Sequence, residues 1–261
     1  MKPILLICTE PISRHFGGLA IRYLRLASFL QPHYSLFIWV PEGKQAPPDS
    51  LPLWDGKNIS QFGAIIAPPN AWLYFPDLET HNVPLVWDVM HPLPVENLFL
   101  FPGDRLQWEY SSLLMALCFL TGSLFLIATP NQKEWYSLHY SALGRKNAED
   151  CWILLPPSPP PEPFEPAQKE GGEYLLWLGG LWDWLDPLTA LKGFISVADR
   201  VPFHLLFLGA KNLPEHLTRS RWLEILQNQS PPSLLKEGRI QFHDWVPYPQ
   251  RVNFLARSVA G

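Results

Sequence analysis

Three short stretches hold residue types that could do chemistry. Residues 9–18 end in Gly17-Gly18, directly before a helical pattern. A glycine pair lets the backbone approach a ligand closely, and a helix N-terminus favours an anion. Asp88-Val89-Met90-His91-Pro92 sets an acid and an imidazole three residues apart, a pair able to hold a hydroxyl and move its proton. Gly179-Gly180-Leu181-Trp182-Asp183-Trp184-Leu185-Asp186-Pro187 is the richest stretch. Glycines running into a helix N-terminus suit a diphosphate. Trp182 and Trp184 could stack on a ring, and Asp183 and Asp186 could bond ribose or sugar hydroxyls. Each stretch also has a plainer reading: a tight turn, a capping Asp beside a surface His, and Asp186 as the N-cap of the helix that Pro187 begins.

The elements that must position these loops follow from periodicity. Residues 4–8, 34–40, 64–67, 84–89 and 124–128 read as strands, and 19–30, 106–120 and 132–140 as helices. In the first helix Leu19, Tyr23, Leu26, Ala27 and Leu30 share a face. A Pro-rich run from Leu155 to Pro166 fits neither helix nor central strand and reads as a linker. The rhythm then restarts: strand 174–178, helix 187–198, strand 203–208 ending at Gly209, helix 222–229, strand 239–242 and helix 251–257. Strands alternating with helices predict an α/β fold with parallel sheets, and in such sheets ligands bind beyond the carboxyl ends of the strands. The expected division is 1–155, a linker at 156–172, and 173–261. The second block shows about three strands where a doubly wound domain uses five or six, so it reads as unfinished.

Composition narrows the classes. The 261 residues carry a net charge of -4 without a long basic run, which argues against nucleic acid as the main partner. Cys8, Cys118 and Cys151 are odd in number and widely spaced, predicting free thiols in a reducing cytoplasm rather than disulfides or a metal site. The eight His are scattered and no His-Glu-x-x-His occurs, so no metal is expected. No Walker loop or Gly-x-Ser-x-Gly elbow is present, and neither glycine pair completes Gly-x-Gly-x-x-Gly, which disfavours a nucleotide-dependent oxidoreductase. The uncharged run 111–131 approaches bilayer length, but Thr121-Gly122-Ser123 splits it into a buried helix and a strand. No integral span is expected, with peripheral membrane contact left open.

Several stretches resemble a branch of the family 4 glycosyltransferases: LLWLGGLWDWLDPL (175–188), LLFLG (205–209), QFHDWVPY (241–248) with Arg251, GGLAIR (17–22), Asp88 with Pro92 and Glu96, and ATPNQKEW (128–135). The resemblance implies a GT-B fold of two Rossmann-like parallel-sheet lobes, the second truncated, facing each other across a cleft. It implies a retaining transfer from a nucleotide-sugar donor to a sugar or lipid-linked acceptor, with no metal or other cofactor. Gly179 and Gly180 would then lie near the donor diphosphate, with Gly17 and Gly18 facing them. Trp182, Asp183, Trp184 and Asp186 would complete the donor loop, and Asp88 and His91 would stand near the transferred sugar. Two departures matter. The family's Arg and Lys after the glycine pair are absent here, the first cation being Lys192. The chain also stops before the family's acid pair, so this piece is expected not to turn over alone. The rival class is a non-catalytic sugar-nucleotide or glycan-binding module.

Overall fold

A computed structural model describes residues 2–12, 17–41, 51–146, 149–157, 172–182, 185–211, 221–247 and 250–260. Asp183, Trp184, Tyr248 and most of the expected linker lie outside the described residues. The chain divides into two compact units, Met1–Pro161 and Glu162–Gly261.

The first unit carries a six-stranded, all-parallel sheet in the order β2-β1-β3-β4-β5-β6. Its strands are β1 (Ile4–Ile7), β2 (Leu36–Trp39), β3 (Ala64–Ala67), β4 (Leu85–Asp88), β5 (Leu124–Ile127) and β6 (Trp152–Leu154). The helices are α1 (Gly18–Leu30), α2 (Leu93–Leu100), α3 (Arg105–Thr121) and α4 (Pro130–Ala142). Side chains alternate across a strand, so β1 feeds two core layers: Leu5 and Ile7 pack with the aromatic-rich layer of Trp54, Phe62, Trp87 and Phe125, while Leu6 and Cys8 pack with Tyr23 and Ala27 of α1. Burial pushes the Cys8 thiol up to about 12, and all three cysteines are free.

The split of the apolar run 111–131 comes out as the sequence predicts: α3 stops at Thr121, Gly122 caps it, and β5 follows. Gly122 has no room for a side chain, since a Cβ there would lie 2.6–2.7 Å from the Phe125 and Trp87 rings. Among the described residues, no helix is long and apolar enough to cross a membrane. The sequence reading overlooked α2 and β6. Pro92 and Pro94 mask α2, although proline is tolerated in a first helical turn. β6 is only three residues long.

The second unit carries a four-stranded, all-parallel sheet in the order β10-β7-β8-β9. Its strands are β7 (Tyr174–Leu178), β8 (His204–Lys211), β9 (Ile240–Asp244) and β10 (Ser258–Ala260), with helices α5 (Pro187–Ile195), α6 (Trp222–Gln229), α7 (Pro232–Lys236) and α8 (Arg251–Ala256). Two expectations are corrected. Among the described residues there are four strands rather than about three, because β10 is too short to show a pattern; an ion pair between Arg257 and Glu173 ties its start to β7. And β8 runs past Gly209 to Lys211: at φ 84° this glycine absorbs a register shift against β9 that a side-chain-bearing residue would resist.

Candidate functional site

In each sheet the strand order reverses beside the first strand, and open α/β sheets bind ligands at such points, beyond the carboxyl ends. In the first unit the reversal lies between β1 and β3. Thr9, just past β1, donates its hydroxyl to Asn70 Oδ1 at 2.8 Å, joining the two loops across the reversal. Asn70 was not legible as a site residue, because a single Asn after Pro68-Pro69 reads as a turn. Gly17 is buried as the N-cap of α1. A Cβ there would lie 2.0 Å from Glu10 Oε1, while Glu10 Oε2 accepts the Ala20 N–H at 2.8 Å. The chain's own carboxylate therefore sits on the helix terminus where an incoming anion was expected. Gly18 opens onto solvent, with nothing within 4 Å of its Cβ position.

Asp88 and His91 have different environments. Asp88 is 1% exposed and faces Arg22 of α1, whose Nε–H donates to Oδ2 at 2.7 Å and whose Nη2 donates to Oδ1 at 3.1 Å. Arg22 also donates from Nη1 to the Leu155 carbonyl at 2.9 Å. This geometry makes Asp88 a buried anchor of α1 rather than a group turned to a substrate. His91 has a side chain 40% exposed, and its Nδ1 lies 3.0 Å from Oε1 of Glu96 on α2. With the proton on Nδ1, Nε2 is the nitrogen presented to a ligand. The loop carrying it is tied down from α4: Gln132 donates to the Met90 carbonyl at 2.7 Å and the Tyr136 hydroxyl to the Val89 carbonyl at 2.7 Å. Gln132 also closes the helix start, its backbone N–H donating to the Thr129 hydroxyl and its Oε1 accepting from the Ala128 N–H. So the run 128–135 acts here by holding the His91 loop.

Burial of the His91 ring works against its charge and is the largest single influence. The hydrogen bond to Glu96 and the fields of Glu96, Asp88 and Glu10 together outweigh it, so His91 titrates above its usual range. An imidazole raised in the folded state adds stability that is fully present below about pH 6.5, the unfolded value, and is lost as pH rises through the folded value. An NMR titration of the ring is expected to show this elevation, and Glu96→Gln to lower it. Unchanged titration in Glu96→Gln would remove Glu96 from the pair.

Beside this site Gly18, Ile21, Arg25, Phe29, Met90 and Leu155 line a cavity of about 340 Å³. A second cavity, of about 370 Å³, opens between α2, α3 and α4, where Leu98, Trp108, Met115, Phe119 and Trp135 form an apolar wall.

In the second unit the reversal lies between β7 and β10, and the loop leaving β7 is the glycine pair. Gly179 adopts φ 128°, and a Cβ on Gly180 would lie 2.6 Å from the Trp182 ring. Trp182 thus packs on the glycine loop. Asp186 is the N-cap of α5, accepting from the Thr189 N–H at 3.1 Å and its hydroxyl at 2.6 Å. Gly209, Trp245, Val246 and Arg251 pack around Gly179 at the same carboxyl edge. Among the described residues no three His, Cys, Asp or Glu side chains converge as metal ligands.

These two parallel sheets match solved glycosyltransferase structures along the chain. Sucrose-phosphate synthase from Thermosynechococcus elongatus matches with a TM-score of 0.60 at 12% identity, over 98% of this chain and 74% of that one. An alpha-glucosyltransferase in complex with UDP matches with a TM-score of 0.57 at 11% identity, over 100% and 73%. The fold is GT-B. A Glycyrrhiza uralensis protein complexed with glycyrrhetinic acid 3-O-monoglucuronide also matches, with a TM-score of 0.50 at 10% identity over 100% and 72%. No protein-family model and no curated protein sequence matches the chain. At such identities the likeness establishes the GT-B fold, and the chemistry has to be argued from the residues.

Proposed function

We propose that the chain is a nucleotide-sugar-dependent glycosyltransferase. The observation that carries this reading is the glycine loop of the second unit. It leaves β7 at the strand-order reversal and runs toward α5, the geometry in which backbone amides receive a diphosphate. The donor binds at Gly179, Gly180 and Trp182, with Asp183 and Trp184 in the same loop. Asp186 shapes this loop through its cap on α5. Gly17 and Gly18 serve the first unit's side of the reaction. His91, oriented by Glu96, meets a sugar hydroxyl or the leaving group through Nε2, and Asp88 ties the end of β4 to α1 through Arg22. The stretch 175–188, similar to family 4 enzymes, supports a retaining course without a bound metal. The apolar cavity between α2, α3 and α4 supports a lipid-linked acceptor at a membrane surface, and three free thiols support a cytoplasmic setting.

A second reading, a sugar-nucleotide-binding module without turnover, is favoured by Asp88, whose two oxygens are both engaged by Arg22.

Calorimetry with UDP and GDP on the purified chain tests the proposal. Binding is expected in the wild type and lost in Gly180→Trp, whose side chain has to displace Trp182. A wild-type chain that binds neither nucleotide would sink it. Sugar transfer from any donor would reject the second reading.

A further inference from the structure

One helix of the first unit is apolar on both faces. α3 turns Leu114, Met115, Cys118 and Phe119 into the aromatic-rich core layer. Its outer face carries Leu106, Tyr110, Leu113 and Leu120 on one helical stripe, and all four are exposed, Leu106 at 76% and Leu113 at 56%. No charged residue follows Glu109 on this helix. A helix that is apolar all round is normally covered all round, yet this stripe faces solvent. The exposed apolar surface continues over the turn to α2 through Phe101, Phe99 and Leu98. It also leads into the cavity of about 370 Å³ between α2, α3 and α4, because Leu98 and Trp108 are both exposed and part of the cavity wall.

We propose that the α2–α3 hairpin docks on a lipid bilayer and that this cavity takes a hydrocarbon chain of a lipid from the same leaflet. The chemistry of the surface selects this occupant. Trp108 and Tyr110 flank the leucines, as amphipathic rings do at a membrane interface. Residues 98–113 include Asp104, Arg105 and Glu109 as their charged groups, and Arg105 pairs with Glu109, so hydrocarbon rather than charge drives the contact. A protein partner would find few hydrogen-bonding groups on such a stripe, whereas protein interfaces carry about one hydrogen bond per 100–200 Å². The cavity repeats the pattern. The hydroxyls of Ser112 and Tyr136 and Nδ1 of His139 each bond a backbone carbonyl, of Trp108, Val89 and Trp135 respectively, so these polar groups of its wall are already engaged. Among the described residues no helix is long and apolar enough to cross a bilayer, so α3 would lie along the surface. The inference deepens the reading of a lipid-linked acceptor and rests on it, but docking is measured without a sugar donor.

The test is flotation of the whole chain with vesicles of phosphatidylcholine alone and of phosphatidylcholine with phosphatidylglycerol, at low and high salt. The wild type is expected to float with both, with little dependence on salt. Leu106→Glu and Leu113→Glu, at exposed positions outside the core, are each expected to lower the partition about tenfold or more; near-UV circular dichroism checks their fold. Labelled methionine methyls read the cavity by NMR, since Met115 is in its wall and Met90 is not. Dihexanoyl-phosphatidylcholine, kept monomeric, is expected to shift the Met115 methyl saturably. A wild type that stays with the unbound fraction would overturn the proposal, as would variants that float like the wild type, binding that requires phosphatidylglycerol and vanishes at high salt, or a lipid that leaves Met115 unmoved. A wild-type dimer that Leu106→Glu splits, without flotation, would overturn it in favour of a second copy on the stripe. Flotation without nucleotide binding would uphold the docking surface and reject the transferase reading; sugar transfer to a water-soluble acceptor by a chain indifferent to vesicles would do the reverse.

Discussion

Replacing Arg22 with Met is expected to destabilise the chain by about 3–5 kcal/mol, the usual cost of removing one partner from a buried ion pair. The magnitude follows from the absence of any compensating solvent. The side chains of Arg22 and Asp88 are 7% and 0% exposed, and both carboxylate oxygens accept from the guanidinium. Without Arg22 a carboxylate is left inside an apolar layer, beside the fully buried Tyr23. The Leu155 carbonyl loses its donor as well, so the end of β6 is released from α1. Arg22→Met with Asp88→Leu is expected to recover most of the loss, since a well-packed apolar pair often replaces a buried ion pair without penalty. Urea unfolding of the single and double variants measures this. A single variant within about 1 kcal/mol of the wild type would mean that the pair does not anchor α1, and would return Asp88 to the candidate substrate-binding groups.

Trp87→Ala is expected to cost about 3–5 kcal/mol and to lower the melting midpoint by roughly 10 °C. Trp87 is 0% exposed and stacks on Trp72, with ring centroids 5.3 Å apart and planes 27° apart. Its indole N–H donates to the Thr121 hydroxyl at 3.2 Å, and its ring presses on Gly122 at the end of α3. The aromatic layer around it includes Phe62 and Phe125, rings that cannot collapse inward to fill a hole without leaving their rotamers. The site also depends on this packing, because Trp87 immediately precedes Asp88 and lies four residues before His91. A calorimetric melt and the His91 ring resonances, followed together, test both consequences. A midpoint shift under about 3 °C would show that the layer repacks around the gap.

Several features were legible from local pattern alone. The apolar runs at 4–8, 64–67, 124–128 and 174–178 are too continuous for one-sided strands, and each became a central strand of a parallel sheet. The break at Gly122 was readable because glycine between an apolar helix and an apolar strand has few other uses. The glycine pair at 179–180 was readable because it follows a buried strand and precedes a proline-started helix. β10 and β6 escaped notice because three residues carry no period. The extension of β8 escaped because glycine ordinarily ends a strand, and only the bulge opposite β9 shows that this one does not.

The sequence by itself determined the α/β alternation, the parallel sheets and the loops from which a site could be built. Those properties depend on side-chain period and on glycine and proline, which act within a few residues of themselves. Tertiary structure decided what each group does. Arg22 meets Asp88 across 66 positions and Leu155 across 133, which placed a candidate catalytic acid in a buried ion pair. Glu10 came to rest on the N-terminus of α1. Gln132 and Tyr136 reached back more than 40 positions to hold the His91 loop, and Arg251 came to stack on Trp245 beside two glycines from other strands. The reason is physical: the strength of a charge or a hydrogen bond is set by distance and by the water excluded around it, and neither is fixed until the chain has packed.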